Sequence, residues 1–387
     1  MADTHARRII QRMERELDAL RARHQFRHLS IPKGIELGSN DYLGLATHPQ
    51  LKEAIIRSVE EDHQVCSTGS RLLSGNAERW ERLEAEFAAF AGVEAALYFP
   101  SGYAANIGLF VAVVKPADTV FSDSANHASL IDGIRLSGAR KVIFPHLGLA
   151  YLEDALRASK HDPGEKFVVV ESIFSMDGDR APLRDLLALC ERFSASLIVD
   201  EAHATGVEGP EGRGLMAVAG TNECVLATVH TCGKALASMG AFVAGSKTLR
   251  DLLINRARTF IYTTALPPYC AAHVQQALKL AAAADREREK LAELGGYLRG
   301  RLKAAGFDAG RSESQIVPLI LGTNQAALRF ASALESAGFS IRALRPPTVP
   351  EGTSRLRLSL NAKLSPADMD TLVETLVAAR ESEVVRG

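Results

Sequence analysis

Residues 195–206 read ASLIVDEAHATG. Ala195, Leu197, Ile198 and Val199 make a short apolar run that stops at two acids, Asp200 and Glu201, with His203 close behind. A run of this length without polar alternation reads as a strand buried on both faces, the pattern of a parallel sheet rather than an antiparallel one. The same burst recurs at AALYFPSG (95–102), DTVFSD (118–123), KVIFPH (141–146), KFVVVES (166–172) and CVLATVHT (224–231). Between bursts the period changes. In APLRDLLALCERF (181–193), Leu183, Leu186, Leu187, Cys190 and Phe193 fall on one helical face. Strands alternating with helices imply an α/β fold, a mostly parallel sheet covered by helices on both sides. Ligands of such sheets bind at the carboxyl ends of the strands, which is where Asp200 and His203 stand.

The chain has 387 residues, more than one hydrophobic core normally serves, so a large domain and a smaller one are expected. From about Tyr269 the pattern shifts to a long helical run (270–305), then SQIVPLIL (314–321), a helix, FSIRALRPPTVP (339–350), SRLRLSL (354–360) and a last helix. The organisation expected is an N-terminal helix and arm over 1–45, a large domain over 46–270, and a small α+β domain over 271–387. Lys and Arg total 45 against 46 Asp and Glu, which gives no basic surplus for nucleic acid. No apolar run reaches membrane-spanning length. Five scattered cysteines without a CxxC pair indicate neither a metal site nor a disulfide framework, and fit a reducing cytoplasmic compartment. The arginine-rich N-terminus carries Glu14, Glu16 and Asp18, so it reads as an amphipathic surface helix rather than a transit peptide.

A second stretch poses the chemical question. In VHTCGKALASMG (229–240) a single lysine, Lys234, is set among Cys232, Gly233, Ala235, Ala237, Ser238 and Gly240. Small neighbours let other groups approach closely, which a surface lysine does not need. A lysine that loses its proton near neutral pH forms a Schiff base with an aldehyde. Pyridoxal phosphate supplies such an aldehyde; its ring nitrogen is kept protonated by a carboxylate, and its phosphate suits a helix start. The chain offers each part after a strand: Asp200 and His203; Gly102 and Tyr103 opening a helix after Ser101; His127 in SANHASL (124–130), a flat ring able to stack; Ser175 in ESIFSMDGD (171–179); and the hydroxyl of Thr231. Taken singly, Lys234 reads as a loop lysine and His127 as a helix cap; it is the spacing of the set that favours a site. A nucleotide-binding sheet is disfavoured because no GxGxxG follows the first strand.

Seven segments in order, SNDYLGL (39–45), SGYAAN (101–106), NHASL (126–130), FSMDGD (174–179), VDEAHATG (199–206), TCGKAL (231–236) and RPPTVPEGTSRLRLSL (345–360), resemble the α-oxoamine synthases. These are pyridoxal-phosphate enzymes of the aspartate-aminotransferase fold, a fold type I transferase. The resemblance implies that Lys234 carries the cofactor, Asp200 pairs with the pyridinium nitrogen, His203 with the phenolic oxygen, and His127 stacks on the ring. It implies further that Gly102, Tyr103, Ser175 and Thr231 hold the phosphate or ring edge, and that Thr263 and Thr264 of IYTTALPP (261–268) reach a neighbouring subunit's cofactor in a homodimer. Asn40 and Arg357 would address an amino-acid carboxylate, and Arg21 and Thr348 the acyl donor. The RPPTVP stretch points to the family member that condenses L-alanine with pimeloyl-CoA or pimeloyl-acyl carrier protein in biotin synthesis. Relatives acting on glycine or serine, and a non-catalytic cofactor carrier, are the alternatives. Two departures bear on the substrate: Trp80 where relatives often have histidine, and Asn361, Ala362, Lys363, Leu364 where Ala-Ala-His is usual.

Overall fold

The computed structural model describes residues 5–62, 64–220 and 224–384. By contacts the chain divides into two compact units, one of 40–292 and 361–363, the other of 1–39, 293–360 and 364–387.

In the first unit, seven strands among the described residues form one sheet: β1 (Ala95–Phe99), β2 (Thr119–Asp123), β3 (Arg140–Phe144), β4 (Lys166–Glu171), β5 (Ser196–Asp200), β6 (Val225–Thr231) and β7 (Ala241–Gly245), in the order β1-β7-β6-β5-β4-β2-β3. All neighbours are parallel except β7, which is antiparallel to β1 and β6. The sequence reading found six of these strands and missed β7. Its AFVAG run carries two alanines and a glycine, weak strand formers, and follows the lysine loop with no helix between.

Side-chain alternation divides the apolar residues of the inner strands between two layers. Val120, Val169, Ile198 and Val229 face one layer with Leu109, Phe110, Leu130 and Ile134. Phe121, Val168, Val170, Leu197 and Val199 face the other, against Leu152, Leu186, Leu187 and Cys190. Helices α1 (Gly102–Val113) and α2 (Ala128–Ser137) supply the first layer; α3 (Leu183–Phe193) belongs to the second. Each α1 and α2 start lies immediately after a strand's carboxyl end, so both N-termini sit at the sheet edge where ligands bind.

The second unit holds a three-stranded antiparallel sheet, β8 (Ile316–Gly322), β9 (Ala343–Leu344) and β10 (Ser354–Ser359), ordered β9-β10-β8, with the helices Asn324–Ser336 and Pro366–Val384. The helical run expected over 270–305 is two helices, Tyr269–Ala282 and Asp285–Ala304. Propensity alone does not break an Ala-rich stretch. The break is held by Arg288, whose guanidinium donates to the last carbonyls of the first helix, Ala281 and Ala282, and pairs with Asp285. No helix among the described residues is long and apolar enough to cross a membrane.

Candidate active site

At the carboxyl edge of the large sheet lies a cavity of about 420 Å³, lined in part by Asn40, Gly102, Tyr103, His127, Asp200, Thr231 and Lys234. Residues from five sequence segments thus meet in one volume, and all but Asn40 lie at or just beyond the carboxyl end of a strand of the large sheet.

Lys234 lies in the tight connection between β6 and β7. Cys232 N–H donates to Gly240 O at 2.9 Å, Ser238 N–H to Cys232 O at 2.8 Å and Ala237 N–H to Lys234 O at 2.8 Å. Gly240 has φ +80°, and a Cβ there would lie 2.1 Å from the Tyr98 hydroxyl oxygen. The small residues around the lysine are therefore demanded by the turn as much as by the cavity. Lys234 Nζ stands 2.7 Å from His203 Nε2, and His203 Nδ1 stands 2.6 Å from the hydroxyl of fully buried Tyr42. That phenol donates to Asn40 Oδ1 at 3.0 Å, so it receives from His203 Nδ1–H. The ring is then the tautomer whose Nε2 lone pair faces the lysine.

Asp200 is buried at the end of β5. Its Oδ2 accepts from Asn106 Nδ2 at 2.8 Å and its Oδ1 from the Ala202 N–H at 2.9 Å. Asn106, on α1, also donates to Ser129 Oγ at 2.9 Å and so ties α1 to α2 through the acid. His127 is the helix cap the sequence allowed, its Nδ1 accepting the Ser129 N–H at 3.2 Å at the start of α2, and the residue also lines the cavity. Burial pulls its pKa below the ordinary value, with Lys234 acting in the same direction and Asp200 against, so the ring is held neutral.

Gly102 opens α1 directly after the N-cap Ser101, whose Oγ accepts the Ala104 N–H at 3.1 Å. A Cβ at Gly102 would come within 2.5 Å of Thr231 Cγ2, so the bare backbone there leaves room that any side chain would fill. A helix start with exposed N–H groups, a threonine beside it, a buried acid and a lysine at the far side meet the needs of a phosphate, a ring nitrogen and an aldehyde. The residues present fit pyridoxal phosphate.

Other expected residues stand elsewhere. His203 and Ser175 lie behind the lining: His203 against Lys234, and Ser175 through its backbone N–H, which donates to Glu171 Oε2 at 3.1 Å. Thr263 and Thr264 line a separate small cavity with Arg71, Trp80 and Tyr98. Trp80 is buried there and stacks on Tyr98 at 5.1 Å between centroids. Arg21, Thr348 and Arg357 belong to the second unit. Arg21 Nη1 donates to Asp18 at 2.7 Å and its guanidinium covers the Phe26 ring; Thr348 Oγ1 accepts from Arg27 Nη2 at 3.0 Å; Arg357 Nη1 donates to Ser359 Oγ at 2.9 Å. The sequence reading overlooked Tyr42, Asn106 and Glu171. All three lay within quoted motifs, yet the partners of Tyr42 and Asn106 are 161 and 94 residues away. No cluster of three His, Cys, Asp or Glu that could hold a metal ion occurs among the described residues.

Residues 32–376 match the family described as aminotransferase class I and II. The 8-amino-7-oxononanoate synthase of Citrifermentans bemidjiense is 42% identical over 376 residues, covering 93% of this chain and 96% of its own. Among solved structures, an alanine variant of the S. paucimobilis serine palmitoyltransferase with bound PLP and myriocin has a TM-score of 0.88 at 29% identity, over 96% of this chain and 98% of that one. The Francisella tularensis 8-amino-7-oxononanoate synthase has a TM-score of 0.79 at 28% identity, over 91% and 99%.

Proposed function

The chain belongs to the class I and II aminotransferase family, and from that premise we propose that it condenses L-alanine with a pimeloyl thioester, on coenzyme A or an acyl carrier protein, to give 8-amino-7-oxononanoate, CO2 and the free thiol. This is an acyl transfer of biotin synthesis, with pyridoxal phosphate as cofactor. When bound, that cofactor offers an aldehyde to amines and an electron-poor ring that spreads the negative charge left at an amino acid's Cα. Everything else is work for the chain's own side chains.

Lys234 Nζ would hold the aldehyde and, once alanine's amine takes its place, accept the Cα proton as general base. Its contact with the Nε2 lone pair of His203 keeps a proton acceptor beside it. Asp200, fixed by Asn106 and the Ala202 N–H, would keep a proton on the ring nitrogen. Neutral His127 would cover the ring face without adding charge. The α1 N-terminus at Gly102 and Tyr103, with Thr231, would receive the phosphate, and Ser175 would brace the ring edge through Glu171. Arg357 and Asn40 would hold the alanine carboxylate, and Arg21 and Thr348 the pimeloyl chain's distal end. Thr263 and Thr264 would serve the partner's site in a homodimer, and the enzyme would act in the cytoplasm.

The observation that carries the reading is the single cavity shared by Lys234, Asp200 and His127. Serine palmitoyltransferases have the higher TM-score, which favours a second reading with serine and a longer acyl group. Chain similarity weighs the other way, 42% against 29%. Product mass spectrometry with alanine, glycine and serine against thioesters of graded length decides between them. A new mass from alanine and pimeloyl thioester alone is the expected result; turnover only with serine would overturn it.

A further inference from the structure

Glu171 ends β4 directly beside Asp200, its register partner on β5, and both line the cavity. It is 2% exposed. Its Oε2 accepts from Ser175 N–H at 3.1 Å, and the His127 backbone N–H also faces the carboxyl. Its Oε1 is buried and has no hydrogen-bond partner in the protein. A buried polar atom left without a partner is costly, whether it would accept or donate, and a group entering the cavity would complete it. Two carboxylates at adjacent strand ends, out of water, do not both ionise readily. Asp200 has a donor on each of its two oxygens, whereas Glu171 has one oxygen bare.

Resting on the function above, we propose that Glu171 is a hydrogen-bond donor of this cavity: a carboxylic acid that keeps its proton beside Asp200 and presents it from Oε1 to an anionic oxygen of the bound cofactor or amino acid. Burial, reinforced by Asp200, raises its pKa to about 8; Lys234 and the N–H groups of Ser175 and His127 oppose but do not cancel that. The acid is therefore protonated at neutral pH and loses its donor as pH rises through that value.

The test uses the holoenzyme with Glu171→Gln, which keeps a neutral donor, and Glu171→Leu, which keeps bulk alone. Expected are near wild-type turnover at pH 7 for Glu171→Gln and a loss of about ten- to hundredfold for Glu171→Leu, the worth of a hydrogen bond to a charged group. Above pH 8 the wild type should lose turnover that Glu171→Gln keeps, a split that a packing role would not produce. If the acceptor is a cofactor oxygen, cofactor affinity and absorption spectrum move in Glu171→Leu without alanine; if it is the alanine carboxylate, only KM for alanine moves. Infrared difference spectra of wild type and Glu171→Gln should show one protonated carboxyl at pH 7, and this holds whatever the acyl substrate. Absence of that band, or equal kinetics for the two variants, overturns the proposal while leaving the synthase reading intact.

Discussion

Tyr42→Phe removes one oxygen atom from a fully buried side chain and keeps the ring that packs there. That oxygen has two partners, His203 Nδ1 at 2.6 Å and Asn40 Oδ1 at 3.0 Å. Each buried hydrogen bond contributes about 0.5–1.5 kcal/mol net, so the substitution removes about 1–3 kcal/mol of interaction. The loss falls on the imidazole that faces Lys234. With Tyr42 accepting at Nδ1, the Nε2 lone pair is fixed toward the amine; without it, the proton is free to move to Nε2 and the ring to turn. If the whole loss is expressed in the transition state, at about 1.4 kcal/mol per tenfold it lowers kcat/KM by about 5- to 150-fold. The assay is steady-state kinetics across pH with alanine and pimeloyl thioester, beside a denaturant midpoint to separate stability from rate. The expected variant folds, binds cofactor, and shows a changed pH profile as well as a lower kcat/KM. A variant within twofold of wild type at every pH would refute the claim that Tyr42 sets the His203 tautomer.

Four further outcomes follow from the geometry. Lys234→Ala should abolish the borohydride-trappable cofactor adduct, and persistence of the adduct would move the Schiff base to another lysine. Asp200→Asn should fold normally and lose at least about 10²-fold in turnover, on the scale of a lost catalytic ionisation; activity near wild type would remove the acid from its role. Gly102→Ala drives a methyl to within 2.5 Å of Thr231 Cγ2. An overpacking cost of about 1–3 kcal/mol should appear chiefly as weaker cofactor binding, measured by fluorescence titration of the apoenzyme. His146 bridges Asp123 at 2.9 Å and Asp179 at 2.8 Å, and although burial works against its charge, the two carboxylates raise its pKa to about 10. A raised folded pKa gives stability that is complete below the unfolded value of about 6.5 and fades as pH rises toward 10. The urea midpoint of the wild type should therefore fall over that window relative to His146→Gln, and parallel curves would show that the bridge carries no net charge.

How far the sequence could be read depended on how local the signal was. β5 was legible because Leu197, Ile198 and Val199 are buried on both faces and sit beside an abrupt acid. Lys234 stood out because its turn requires Gly240 at positive φ and admits no bulk. β7 was not legible, since AFVAG has no residue that prefers a strand except Phe242 and Val243, and its place is set by pairing with β1 and β6. Glu171 was quoted in a motif only for its neighbour Ser175. Its importance arises from register, Glu171 against Asp200, and 28 residues of loop, helix and strand separate the two. Asn106 and Tyr42 are the same case: an amide and a phenol with ordinary neighbours in the chain and decisive ones across it.

The reversed strand is what turns a parallel sheet into this site. In a wholly parallel arrangement the chain leaving β6 would cross the sheet through a helix and re-enter at the opposite edge. Because β7 runs antiparallel, the connection from Thr231 to Ala241 is a short loop that stays at the carboxyl edge. The same reversal sets β1 beside it, with Phe99 paired to Ala241 and Ala241 to Thr231. Two register pairs thus align the end of β1, the start of β7 and the end of β6. The residues just beyond them are Gly102 at the α1 start, the lysine loop, and Thr231 itself, which is why a Cβ on Gly102 meets Thr231. The phosphate cradle and the amine are therefore one structural consequence, and a substitution that shifts the β6–β7 register by one residue would displace both together.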